Sequence, residues 1–226
     1  MNIKTIIAIA AMGCQTLSLQ AQTTTNPLRD SLARATEQLA FHPDSADLRL
    51  KKAAWNIQLE QWAYAKDEYD AVLARDPHNI AGLYYRAFVN DKMRRYNFAR
   101  LDYETLLGII PGNFEAQLGL ALLNQKDRHF TEALDGINNL VAAHPDSAVV
   151  WAARGGMENE QGMLELADYD YSKALELSPD NNDYLLARAD IRIRLRRFSQ
   201  ARRDLDALVK NGTSRPSLKK WYELCK

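Results

Sequence analysis

Cysteine is nearly missing from this chain, which has only Cys14 and Cys225 among 226 residues. If the N-terminal stretch is removed, Cys225 has no intrachain partner and packing alone must hold the fold. Net charge is missing as well, with 29 Lys+Arg against 29 Asp+Glu. The motifs that would signal catalysis are also absent: there is no nucleophile elbow, phosphate loop, HExxH pair or paired cysteines. Four histidines remain. His42, His78 and His144 adjoin prolines, and His129 falls between two helical segments, so none stands on a helix with a second metal ligand three or four residues on. The carboxylates are accounted for by a charged helix surface, and Cys225 by an incidental position near the chain end. These absences point away from an enzyme, a cofactor or a metal.

What is present begins with MNIKTIIAIAAMGCQTLSLQAQ, one Lys followed by an apolar run and then Leu19-Gln20-Ala21. That pattern predicts a secretory signal over residues 1–21, too short for a stable membrane span, with cleavage leaving Gln22 first. The "QAQ" ending resembles exported proteins of Bacteroidetes-type bacteria. Ala11-Met12-Gly13-Cys14 offers a second reading, a lipoprotein box with Cys14 lipidated, although the usual Leu three residues before the Cys is not there. Either route takes the chain out of the cytoplasm, to the periplasm or envelope, or to the outer membrane as a lipoprotein.

Five columns then recur every 34 residues. Prolines fall at Pro43, Pro77, Pro111, Pro145 and Pro179. Tiny residues fall at Ala53, Ala87, Ala121, Gly155 and Ala189, and again at Ala65, Ala99, Ala133, Ala167 and Ala201. A bulky residue recurs at Trp62, Tyr96, Phe130, Leu164 and Phe198, and a cap-former at Ser45, Asn79, Asn113, Ser147 and Asn181. Each proline ends one helix and the following Ser or Asn caps the next. The paired tiny columns let two helices pack backbone to backbone, and the bulky residue fills the gap at their turn. A two-helix unit of this kind cannot bury its apolar face alone, so the units must stack into an all-α solenoid.

These residues resemble the tetratricopeptide repeat family. The fullest match is Ala148 to Asn181, where Trp151, Gly155, Gly162, Ala167, Tyr171, Ala174 and Pro179 stand at the signature positions. The resemblance divides the chain into repeats over 46–79, 80–113, 114–147, 148–181 and 182–215. Arg49 and Gln117 depart from it at the fourth position, Asn56, Asn90 and Asn124 at the eleventh, and Thr213 where the last proline would fall. Residues 22–27 read as a polar leader and 28–45 as an N-terminal half-repeat helix. Residues 216–226 read as a C-terminal capping helix that covers the core with Leu218, Trp221, Tyr222 and Leu224.

The resemblance implies a concave face lined by each first helix. At its fifth and ninth positions stand Leu50/Ala54, Tyr84/Phe88, Leu118/Leu122, Ala152/Gly156 and Leu186/Asp190, and its outer positions add Asp91, Lys92, Gln125, Lys126, Asn159 and Glu160. The Lys/Asn and Lys/Arg clamp by which relatives grip a C-terminal carboxylate is not supplied. The expected partner surface is Tyr84, Phe88, Asp91, Lys92, Leu118, Leu122, Gln125 and Lys126, with Tyr84 and Phe88 exposed and Tyr85 packed inward.

Charge is uneven along the chain. Residues 22–187 hold 16 Lys+Arg against 25 Asp+Glu, net −9, and residues 188–226 hold 12 against 4, net +8. A basic patch of Arg192, Arg194, Arg196, Arg197, Arg202 and Arg203 is a candidate for an acidic protein or lipid phosphate, or else a solvated or internally matched face. Export argues against nucleic acid, and membrane contact requires lipidated Cys14. Asp30-Ser31-Leu32, Asp44-Ser45-Ala46 and Asp146-Ser147-Ala148 resemble a Bacteroidetes O-glycosylation acceptor, though Ser45 and Ser147 are already explained as caps. The expectation is a non-enzymatic protein–protein interaction module of the bacterial envelope that binds a peptide or helix in its groove. The alternative is a structural or self-associating subunit of an envelope assembly.

Overall fold

The computed structural model describes residues 26–225; the expected signal peptide, Cys14 and all but the end of the polar leader lie outside them. Helix α1 (Pro27–Phe41) precedes five helix pairs: α2 (Ala46–Gln58) and α3 (Trp62–Leu73), α4 (Ile80–Lys92) and α5 (Tyr96–Ile109), α6 (Phe114–Lys126) and α7 (Phe130–Ala143), α8 (Ala148–Glu160) and α9 (Leu164–Leu177), α10 (Asn182–Arg194) and α11 (Phe198–Lys210). A 3-10 turn (Arg215–Leu218) leads into α12 (Lys219–Leu224), and the described residues contain no strand.

Five of the six helices that open after a loop are capped by side chains. Asn26, Ser45, Asn79, Asn113 and Asn181 each accept from a backbone N–H one turn in, as in Gly82 N to Asn79 Oδ1 at 2.9 Å and Ala116 N to Asn113 Oδ1 at 2.8 Å. Ser147 is the exception: the expected cap at α8 is not made by its hydroxyl. The second helices use no side-chain cap. There the turn itself closes, with backbone bonds from Gln61 to Asn56, Arg95 to Asn90, His129 to Asn124, Met163 to Glu158 and Arg197 to Arg192, each 2.7–2.8 Å. This turn needs one left-handed residue. Gly162 supplies it in the fourth repeat, whereas Glu60, Arg94, Arg128 and Arg196 adopt φ of +55° to +63° in the others.

Small residues set the helix spacing. Ala53, Ala65, Ala87, Ala99, Ala133, Ala167, Ala189 and Ala201 are fully buried between paired helices. The bulky turn residue is half-buried in four repeats, but Phe130 is 44% exposed and so fills no gap. At the far end, Leu218 and Cys225 are buried against the last pair and Trp221 and Tyr222 half-buried, while Leu224 points out, contrary to expectation. The buried thiol sits in an apolar site that pushes its pKa up.

Successive first helices touch directly, α2 with α4, α4 with α6 and α6 with α8, whereas the second helices make no comparable contact with one another. The stack therefore bends with the first helices inside and the second helices outside.

Candidate functional site

The inner face carries its apolar side chains over α4 and α6. Tyr84 is half-buried, packed edge-on against Tyr103 with ring centroids 6.1 Å apart and against Tyr85 at 5.1 Å. Phe88 is also half-buried, edge-on to Trp62 at 6.2 Å, with the Lys92 ammonium 5.2 Å from its ring centre. Leu118 leans on the core cluster of Ile137 and Val150, and Leu122 is the exposed member of the four. Expectation and structure differ for all three aromatics: Tyr84 and Phe88, expected exposed, are both half-buried on neighbouring rings. Tyr85, expected inside, is 45% exposed and lies flat on buried Tyr69, while Tyr84 takes the half-buried place. The sixth position of the repeat faces the preceding second helix rather than the core, which explains the exchange. Burial raises the Tyr84 hydroxyl pKa, helped by the neighbouring Tyr85 and Glu115.

Of the polar positions expected on this face, all but Lys92 are already engaged by other side chains. Asp91 pairs with Lys126, Gln125 Nε2 donates to Glu160 Oε2 at 2.9 Å, and Arg194 donates to Asn159. Each contact spans 35 residues, from the twelfth position of one repeat to the thirteenth of the next, and together they stitch neighbouring first helices along the inner rim. Lys92 and Lys126 are exposed, whereas Asp91 Oδ1 and Gln125 Oε1 are buried without a partner.

The basic patch dissolves in part into the fold. Arg192 donates to Asp168 at 2.7 Å and to Asp204 at 2.8 Å, and Arg197 reaches Asp168 and Glu165. Arg194 lies 3.8 Å from Asp190. Arg202 donates to the Cys225 carbonyl at 3.2 Å, and it and Arg196 and Arg203 are exposed without a carboxylate among the described residues. These arginines tie the acidic fourth repeat to the fifth.

A further column, absent from the expected site, joins the two helices of a repeat. The seventh residue of a repeat carries a cation that meets an acid sixteen residues later: Lys52–Glu68, Arg86–Asp102, Arg154–Asp170 and Arg188–Asp204. The arginines of repeats 2, 4 and 5 also reach back to the preceding second helix, at Asp70, Asn138 and Ser172. Repeat 3 has Leu120 and Gly136 at the two positions and no rung. The shared spacing of sixteen was the signal available in the sequence.

Neither a family profile nor a characterised protein sequence matches the chain. Solved structures do. A tetratricopeptide repeat protein from Parabacteroides merdae aligns at TM-score 0.74 and 20% identity over 88% of this chain and 78% of that one. The fold is that of a tetratricopeptide-repeat solenoid. A second such protein, from Thermus thermophilus, aligns at TM-score 0.64 and 17% identity over 80% of this chain and 98% of that one. YrrB, a tetratricopeptide repeat protein with an unusual peptide-binding site, aligns at TM-score 0.55 and 17% identity over 84% and 95% respectively. In this tetratricopeptide-repeat solenoid, the first-helix face over α4 and α6 is the candidate binding surface.

Proposed function

We propose that the chain is a non-enzymatic protein–protein interaction module of the bacterial envelope, exported by its N-terminal signal, that takes a peptide segment or helix in its concave groove. The observation that carries this reading is the placement of Tyr84, Phe88, Leu118 and Leu122, half-buried or exposed, at the fifth and ninth positions of neighbouring first helices, with exposed Lys92 and Lys126 at the same rim. A half-buried aromatic beside an exposed leucine gives a partner side chain an apolar seat at little cost in ordering. YrrB, which shares the fold, is described by its peptide-binding site, and this supports the same use of the scaffold. An acidic partner at the basic end rests on Arg196, Arg202 and Arg203, with Arg215 and Lys219 beside Arg202 around a cleft of about 550 Å³.

The test combines affinity capture from the native envelope with one substitution. Phe88→Ala should weaken binding of the captured protein by about 2 kcal/mol, the scale of an interface hot spot, with a smaller loss of stability from the half-buried ring's contact with Trp62. A large stability loss with unchanged affinity of the folded fraction would move the function away from the groove. Mass analysis of the mature N-terminus should find Gln22 first; a diacylated Cys14 would make the protein an outer-membrane lipoprotein instead.

A further inference from the structure

The helices of a pair are 12–14 residues long, about 20 Å at about 1.5 Å per residue, so the stack gathers its loops on two opposite edges. The turns inside the repeats lie on one edge and the proline turns between repeats on the other. The two edges differ in charge. On the first, residues 92–95 and 126–129 hold five Lys+Arg against one acid; on the second, residues 142–150 and 177–184 hold three Asp and no Lys or Arg. The basic row is kept at a cost to the backbone. Gly162 fills the left-handed turn position in repeat 4, but Arg94, Arg128 and Arg196 fill it in repeats 2, 3 and 5, at φ +57°, +63° and +58°, where a side chain is strained and glycine is not. All three are exposed and enter no ion pair among the described residues. On the other edge Asp146 and Asp180 each follow a turn proline, and they too are exposed and outside the ion pairs among the described residues. Exposed apolar side chains stand within three residues of both rows, Phe130 by Arg128, and Val149 and Leu177 by Asp146 and Asp180.

We propose that the two edges bind each other between copies of this chain, Arg94 and Arg128 of one copy meeting Asp146 and Asp180 of the next. The step of the two rows selects a second copy as the occupant. Each pair is 34 residues apart on adjacent repeats of the same stack, so the arginines and the aspartates advance by the same distance along their edges. A foreign acidic chain has no built-in reason to share that step. The chain is also neutral, with 29 Lys+Arg against 29 Asp+Glu, so opposed edges attract without a net charge holding the copies apart. Planar guanidinium groups suit the carboxylates, and the flanking apolar side chains lose water when the edges meet. The contact uses a different surface on each copy, so it is heterologous: it continues from copy to copy instead of closing as a symmetric dimer. Neither edge includes Tyr84, Phe88, Leu118 or Leu122, so this association and the groove can fail independently.

The experiment is sedimentation of the full chain over a concentration series at about 0.01 M and about 1 M salt, where charges are felt over about 30 Å and about 3 Å. The average mass should climb with concentration at low salt, without levelling at a dimer, and fall to the monomer at high salt. Two double variants reverse one edge each: Arg94→Glu with Arg128→Glu, and Asp146→Lys with Asp180→Lys. Each alone should weaken self-association at least about tenfold by setting like charges opposite one another. Glu60 holds the same left-handed position at φ +55° in repeat 1, so the turn accepts glutamate, and circular dichroism should find both variants folded. An equimolar mixture of the two variants should associate again, since the reversed edge of one matches the reversed edge of the other. A chain that is monomeric at every concentration, association that survives high salt or either reversal, or a mixture that stays monomeric would each overturn the proposal.

Discussion

Repeats 2 and 3 are neighbours on one 34-residue frame, yet they tie their helices together by different means. In repeat 2, half-buried Arg86 clamps Asp102, itself 3% exposed, and borrows Asp70 from the repeat before. In repeat 3, both members of that pair are gone at once, and Leu120 with Gly136 brings α7 close enough that a Cβ at 136 would sit 3.3 Å from Ala121. The joint loss is what electrostatics demands. A buried pair contributes little beyond an apolar substitute of equal volume, but removing one partner strands a charge. The comparison teaches that the unit of change in this column is the pair, not the residue.

The largest expected effect removes one partner where the network is densest. Asp204→Ala leaves both Arg188 and Arg192 facing a half-buried site, and urea denaturation should show a loss of about 3–5 kcal/mol. An apolar contact is the next in size. A Cβ on Gly119 would come within 2.6 Å of the Tyr103 ring, so Gly119→Ala should cost about 1–3 kcal/mol through overpacking between repeats 2 and 3. A normal melting curve for that variant would mean the ring has room to move.

Glu158 sharpens the comparison through pH. Burial first, then the nearby Asp170 charge, push its carboxyl up to about 7 against an ordinary 4.5, with Arg154 opposing. The unfolded chain therefore gives up this proton before the folded one does, and the group lowers stability as pH rises from about 4.5 to about 7. Glu158→Gln should match the parent at pH 4.5 and exceed it above pH 7, by about 1–2 kcal/mol after allowance for partial solvent access. The smallest effect lies in the turns: Gly162→Ala, at φ +78°, should cost about 1 kcal/mol.

The sequence made the helix boundaries readable because proline and cap residues act locally. Pro77 and Asn79 need nothing distant to end α3 and start α4. The turns were harder to read. Only Gly162 advertises a left-handed residue, and Arg94 or Arg128 in the same conformation carries no mark of it. The side-chain partners were hardest. Nothing near Arg192 in sequence says that Asp168, 24 residues back, holds it, so it read as part of an open basic patch. Asp91 and Lys126 likewise read as free groove residues until the superhelix put them, 35 residues apart, in contact. Tyr84 and Tyr85 differ by one step around a helix, and only the packing of Tyr69 beneath Tyr85 decides which faces out.

The claim that the pair is the unit is tested most directly in repeat 2, by urea denaturation of Arg86→Leu, Asp102→Ala and the double variant. Arg86→Leu should lose about 3 kcal/mol by stranding buried Asp102, and adding Asp102→Ala should restore at least half of that, since the site then has the uncharged character of repeat 3. A double variant whose loss equals the sum of the two single losses would contradict the account.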